Sequence, residues 1–223
     1  MPTRVLFDRS LIDIRDHLLR LSSMTDKAIV DCMKALQERN ADLAQQVSAN
    51  DSNLNDVRYA IEEKCYTVIA TQQPNATDLR DIVGSLSVAT NLERIGDHAA
   101  GIARLTLRMI DQPLLKPLVD IPQMAEIGRE MVKGAVDAFL EHDAALAEKL
   151  VERDKDVDRL QDQVYKDLLE IMIKDTATIE RATFLLWVSH NLERIGDRAT
   201  NICERAVYAA TGELKEFHAT ETH

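Results

Sequence analysis

The seven residues Asn-Leu-Glu-Arg-Ile-Gly-Asp occur twice in this chain, at 91–97 and again at 191–197. Chance does not produce such a pair, so the chain is an internal duplication that must fold as two copies of one unit. The repeat reaches further back with a shifted offset: Leu43-Ala44 matches Leu146-Ala147, and Asp51 matches Asp154. The change in offset falls around Gln72-Gln73-Pro74, where a turn absorbs extra residues without disturbing the core.

Each unit reads as helix. Leu11, Ile14, Leu18, Leu21, Thr25, Ala28, Cys32 and Ala35 step by three and four residues, which puts one stripe on one helix face. Asn40 can cap a second helix running through Val47, Leu54, Ile61, Cys65 and Val68. Pro74 then breaks it, because proline lacks the backbone donor and disfavours helix just before itself. Asn75 or Thr77 can cap a third, with Leu79, Ile82, Leu86 and Ala89 on its stripe. Only seven Gly and five Pro, with 4% aromatic residues, are poor material for a β protein.

Pro113, Pro117 and Pro122 form the densest proline cluster and mark a linker. Beyond it the pattern predicts helices over about 122–140, 143–173 and 177–211. The fold is therefore expected to be all-α: six helices in two tandem three-helix bundles related by duplication. The first repeat spans 1–112, the linker 113–121, the second repeat 122–211, and 212–223 is a polar, frayed tail.

Charge narrows the function. With Lys+Arg 27 against Asp+Glu 38, the net charge of −11 disfavours nucleic acid and anionic lipid as partners. The start of the chain lacks the apolar core of a signal peptide, and no run of about eighteen apolar residues occurs. A cytoplasmic protein without membrane insertion is expected. Cys32, Cys65 and Cys203 have no CxxC spacing and are expected as small buried hydrophobes in a reducing compartment. Trp187 is expected in the core. Nucleotide-loop and nucleophile-elbow motifs are absent.

Two acids stand where apolar residues belong. Glu93 and Glu193 fall on the stripes of the third and last helices, and an uncompensated buried carboxylate costs at least several kcal/mol. Asp97 and Asp197 lie one turn on, along the same face. The preceding helix of each half carries a similar pair, Asp51 with Asn55 and Asp154 with Asp158. Positions 53 and 95 are equidistant from Pro74, and 156 and 195 from the break near Asp175, so each pair can face its partner pair across a hairpin. Four oxygen side chains at one level suit Mg, Ca, Mn or Fe, and adjacent carboxylates can bridge more than one ion. In the alternative, Arg94 and Arg194 pair with these carboxylates, while Gly96 and Gly196 permit close helix packing. No Glu-x-x-His of the ferritin-like oxygenases occurs. His98 is expected to support the site rather than ligate, since its counterpart is Arg198.

The duplicated heptapeptide, followed by His98-Ala99 and Arg198-Ala199, resembles the signature of the PhoU family, as does the turn Gln73-Pro74-Asn75-Ala76-Thr77-Asp78-Leu79-Arg80. The resemblance covers roughly residues 8–211. It implies a six-helix cytoplasmic negative regulator of the phosphate-starvation response, not an enzyme. Such a protein couples a phosphate ABC transporter, through its ATPase subunit, to a sensor histidine kinase, and works as a homodimer. It further implies a divalent or multinuclear metal (iron, or Mn, Mg or Zn) held by Asp51, Asn55, Glu93 and Asp97 in one half and by Asp154, Asp158, Glu193 and Asp197 in the other. Asn55 departs from the family's acid, so the first site should be the weaker. A carboxylate-bridged metalloenzyme and a metal-free helical scaffold are the alternatives.

Overall fold

The computed structural model describes residues 2–217, and no β-strand occurs among them. The helices are α1 (Pro2–Glu38), α2 (Ala41–Ala49), α3 (Asp51–Gln72), α4 (Ala76–Met109), α5 (Asp120–Glu141), α6 (Ala144–Val151), α7 (Asp154–Lys174) and α8 (Ile179–Thr211), with a 3-10 turn at Thr176–Thr178. Six rods were expected, and six are present if α2–α3 and α6–α7 each count as one arm interrupted by a short break. These breaks, at Asn50 and at residues 152–153, were not foreseen. No proline or glycine marks them, and the residues between the segments keep right-handed helical dihedrals.

The duplication extends to the caps. The Asn40 side chain accepts from the Leu43 N–H, and its counterpart Asp143 accepts from Leu146. Asn75 accepts from Thr77 and Asp78, and its counterpart Asp175 from Ala177. These bonds satisfy backbone donors that the first helical turn leaves unpaired. Arg39 and His142, equivalent positions, both take positive φ (52° and 54°) to end α1 and α5.

The two halves share one core rather than standing apart. α4 and α8 run antiparallel through the centre, and α1 packs on α5. Their contacts obey a pseudo-two-fold relation. Asp26 and Arg129 occupy equivalent positions and bond to each other, at 2.7 and 3.2 Å. The side chain of Asn191 fills the space beside Gly101, and the equivalent pair Asn91 and Asn201 meets at 3.5 Å. Gly96 sits where a Cβ would meet Leu54 Cδ2 at 2.5 Å, so α3 and α4 approach closely there. The three cysteines are free and buried, as expected.

Two expectations, those for the tail and for Trp187, need correction. The proline-rich linker is fastened to the rest of the fold: Lys116 pairs with Asp167 of α7, Arg181 donates to the Pro113 carbonyl at 3.1 Å, and Leu115 and Leu118 pack on the core. α5 accordingly begins at Asp120, before Pro122, since proline is tolerated in a first helical turn. The tail is not frayed through 217. Phe217 N–H donates to Glu204 Oε1 at 3.0 Å, and Lys215 pairs with Glu148; the remainder of the expected tail, 218–223, lies outside the described residues. Trp187 is 47% exposed rather than in the core. The Arg108 guanidinium stacks 4.3 Å over the neighbouring Phe184 ring and 5.9 Å over Trp187.

Candidate functional site

The hairpins place the expected acids at one level, as equidistance from the turns requires. In the second half Glu193 of α8 faces Asp154 and Asp158 of α7, with Asp197 one turn along. Burial first, then these three like charges, raise its pKa to about 7, and Arg194 opposes them. In the first half Glu93 is only 8% exposed. Burial and the charges of Asp97 and Asp51 push its carboxyl above the usual range, against Arg94 and Arg58. Asp51 is raised too, by burial and by Asp97, which approaches near enough for the two carboxylates to share a proton; Arg104 opposes the shift. In each cluster burial and neighbouring acids together disfavour the charged form more than the nearby arginines favour it.

Asn55 behaves differently from the other seven. Its side-chain amide turns back to the Asp51 carbonyl within α3, at 3.5 Å. The second half has Asp158 at the equivalent position, and that acid adds to the field on Glu193.

The arginines of the heptapeptide partly compensate. Arg94 lies 3.6 Å from Glu93 and 3.1 Å from Asp97; Arg194 lies 3.5 Å from Glu193 and 2.9 Å from Asp197. This is the pairing expected in the alternative. It is incomplete, because Asp51 Oδ1 is buried without a hydrogen bond, and Glu193 Oε2, also buried, has only the ion-pair approaches of Arg194 Nε and His190 Nδ1 at 3.5 and 3.4 Å. Gly196 belongs to the same arrangement, since a Cβ there would come within 2.7 Å of Asp154 Oδ1.

Orphaned carboxylate oxygens, hard donors and raised pKa values fit a cation at either cluster. The cage is not closed as the side chains stand, for no three described His, Cys, Asp or Glu side chains surround a common point. An arriving ion would have to draw the carboxylates inward and displace Arg94 or Arg194.

Sequence alone did not reveal several neighbours. His190 Nδ1 lies 3.4 Å from Glu193 Oε2. His98 bonds to Asn191 at 3.0 Å; burial and then Arg198 lower its pKa, opposed by Asn191 and Asp97. Arg58, held by Glu62, reaches the field of Glu93. An arginine one turn from an apolar-stripe position was the only available signal.

A family model described as PhoU domain matches residues 18–106 and 121–206. The chain is 37% identical over 217 residues to a phosphate-specific transport system accessory protein PhoU homolog of Clostridium acetobutylicum, covering 97% of this chain and 99% of that one. It is 36% identical to the Aquifex aeolicus protein of the same description, covering 96% and 97%. The crystal structure of PhoU from Pseudomonas aeruginosa superposes with a TM-score of 0.88 at 35% identity, over 93% of this chain and 100% of that one. The phosphate transport system regulatory protein PhoU from Streptococcus pneumoniae gives 0.87 at 30% identity, over 94% and 99%.

The raised pKa of Glu193 fixes the sign of a pH effect in metal-free protein. Its charge is unfavourable to the fold above about pH 7 and is relieved by protonation as pH falls through that value. Glu193→Gln should therefore stabilise chelator-treated protein by about 1–3 kcal/mol at pH 8 and by little at pH 5. Urea unfolding at both pH values measures this, and equal effects at the two would contradict it.

Proposed function

This chain belongs to the PhoU family, and from that membership we infer that it is a regulatory accessory protein of phosphate transport. The observation that carries this is a full-length match, in sequence and in fold, to proteins described in those terms. Such a regulator acts by binding rather than by turnover. The buried thiols support this: burial pushes Cys65 and Cys203 up to about 12 and Cys32 higher still, so none is a ready nucleophile.

The finer reading is an adaptor in the cytoplasm that restrains phosphate uptake, with the ATPase subunit of the phosphate ABC transporter and a sensor histidine kinase as partners, working as a homodimer. No helix among the described residues is long and apolar enough to cross a membrane, which is compatible with that setting. Deleting the gene should leave a phosphate-starvation promoter active in rich phosphate. A reporter on that promoter decides it, and unchanged repression would remove the regulatory role.

A metal belongs to the same proposal. Asp154, Asp158, Glu193 and Asp197 would hold one ion or cluster, and Asp51, Glu93 and Asp97 with Asn55 the other. A bound cation would neutralise the crowded acids and cross-link α3 to α4 and α7 to α8. Charge and oxygen count govern hard-cation affinity, so the second half should fill first. Arg198 does not reverse this order, because it lines a groove with α3 and α4 and is not among the charges acting on Glu193. In calorimetric titration with Mn2+, Glu193→Gln with Asp197→Asn should abolish the tighter phase. Glu93→Gln with Asp97→Asn should abolish only the weaker one. Loss of the tight phase in the first-half variant would reverse the ranking.

A further inference from the structure

A groove of about 560 Å3 runs between α3, α4 and α8. Tyr66, Ser87, Asn91, Arg198, Asn201 and Arg205 line it with hydroxyl, amide and guanidinium groups. The Arg198 Nε is buried and bonds to nothing among the described residues. A guanidinium cannot shed its charge, so a buried unpaired donor on it carries a standing cost that an anionic acceptor would relieve. The two carboxylates that border the groove are already engaged. Glu62 pairs with Arg58, and Glu204 accepts from the Phe217 N–H and lies 3.7 Å from Arg205. The lining carries two guanidiniums and two carboxylates, and because both carboxylates are already engaged the Arg198 Nε is left without an acceptor.

The duplication supplies a control. At the pseudo-equivalent positions Leu169 stands for Tyr66, Trp187 for Ser87, His98 for Arg198, Gly101 for Asn201 and Leu105 for Arg205. The two surfaces are built on equivalent helices, α3, α4 and α8 on one side and α7, α8 and α4 on the other, so the backbone fold does not require the polar set. The polar lining is particular to one side, and it includes the unpaired donor.

We propose that this groove binds a phosphoryl anion, gripped by Arg198 and Arg205 and oriented by the Ser87 and Tyr66 hydroxyls. Arginine suits this ligand because its planar fork matches two phosphoryl oxygens. The volume exceeds what a bare phosphate ion needs, so the ion and the phosphoryl end of a larger ester both fit. The choice of phosphoryl over other anions rests on the phosphate-regulatory role. That role does not depend on the groove, so its promoter test can succeed where this one fails.

Chelator-treated protein would be titrated calorimetrically with inorganic phosphate and, separately, with adenosine 5′-monophosphate, at ionic strength held constant with chloride. Removing metal ensures that any binding is not through the carboxylate clusters. At least one ligand should bind saturably, and Arg198→Gln and Arg205→Gln should each weaken it roughly tenfold or more, the scale of one charge-assisted hydrogen bond. Arg198→His, which copies position 98, should do the same and provides a second variant if the glutamine form misfolds; unliganded melting temperatures check the fold. Binding of phosphate alone identifies the free ion as the source, and preference for the ester identifies a phosphorylated metabolite. No saturable binding of either ligand, or binding that the arginine variants leave unchanged, overturns the proposal.

Discussion

Burial of carboxylates held at one level of facing helices, with their mutual repulsion added, is the constraint around which the repeated motif is arranged. The heptapeptide puts Glu93 and Glu193 on apolar stripes and Asp97 and Asp197 a turn along, and α3 and α7 bring Asp51, Asp154 and Asp158 to the same height. The other residues of the motif act around that repulsion. The arginine after each glutamate bonds to the aspartate three positions on. The glycine lets the facing helix close in, against Leu54 in one half and Asp154 in the other. Leu92 and Ile95, both fully buried, hold α4 in the shared core.

Duplication fixed the frame and left the two copies free to diverge. The side-chain caps Asn40 and Asp143 and the positive-φ ends of α1 and α5 are the same in both halves, whereas Gln73 ends α3 with positive φ and Asp175 ends α7 extended. Divergence is concentrated where side chains leave the core. Asn55 against Asp158 removes one charge from the first cluster. His98 against Arg198 replaces a half-buried ring bonded to Asn191 with a guanidinium in the polar groove whose Nε is buried without a hydrogen bond. The protein is thus symmetric in architecture and asymmetric in chemistry.

Much of this was legible in the sequence because helix period and turn chemistry are local properties. The repeated heptapeptide, Asn40 and Asn75 as caps, Pro74 at the turn, and the equidistance that pairs Asp154 with Glu193 all follow from short-range rules. The helix breaks at Asn50 and residues 152–153 were hidden because no glycine or proline marks them. The fastened linker was hidden because Lys116 and Arg181 find their partners only after folding. Trp187 misled because a lone aromatic residue reads as core, whereas Arg108 and Phe184 support it at the surface. The groove at Arg198 depends on three helices at once, which no single-helix pattern records.

The most direct test of the account is the titration of Glu193 itself. Side-chain carboxyl carbon-13 NMR of chelator-treated protein, assigned with Glu193→Gln, follows this one group through its protonation. The account predicts a midpoint near 7, as burial and three neighbouring acids require, and a fall toward or below the ordinary range when Mg2+ is added. A midpoint in the ordinary glutamate range without metal, unmoved by the cation, would show that Arg194 alone neutralises the cluster and would contradict the claim that these carboxylates are held in unrelieved opposition.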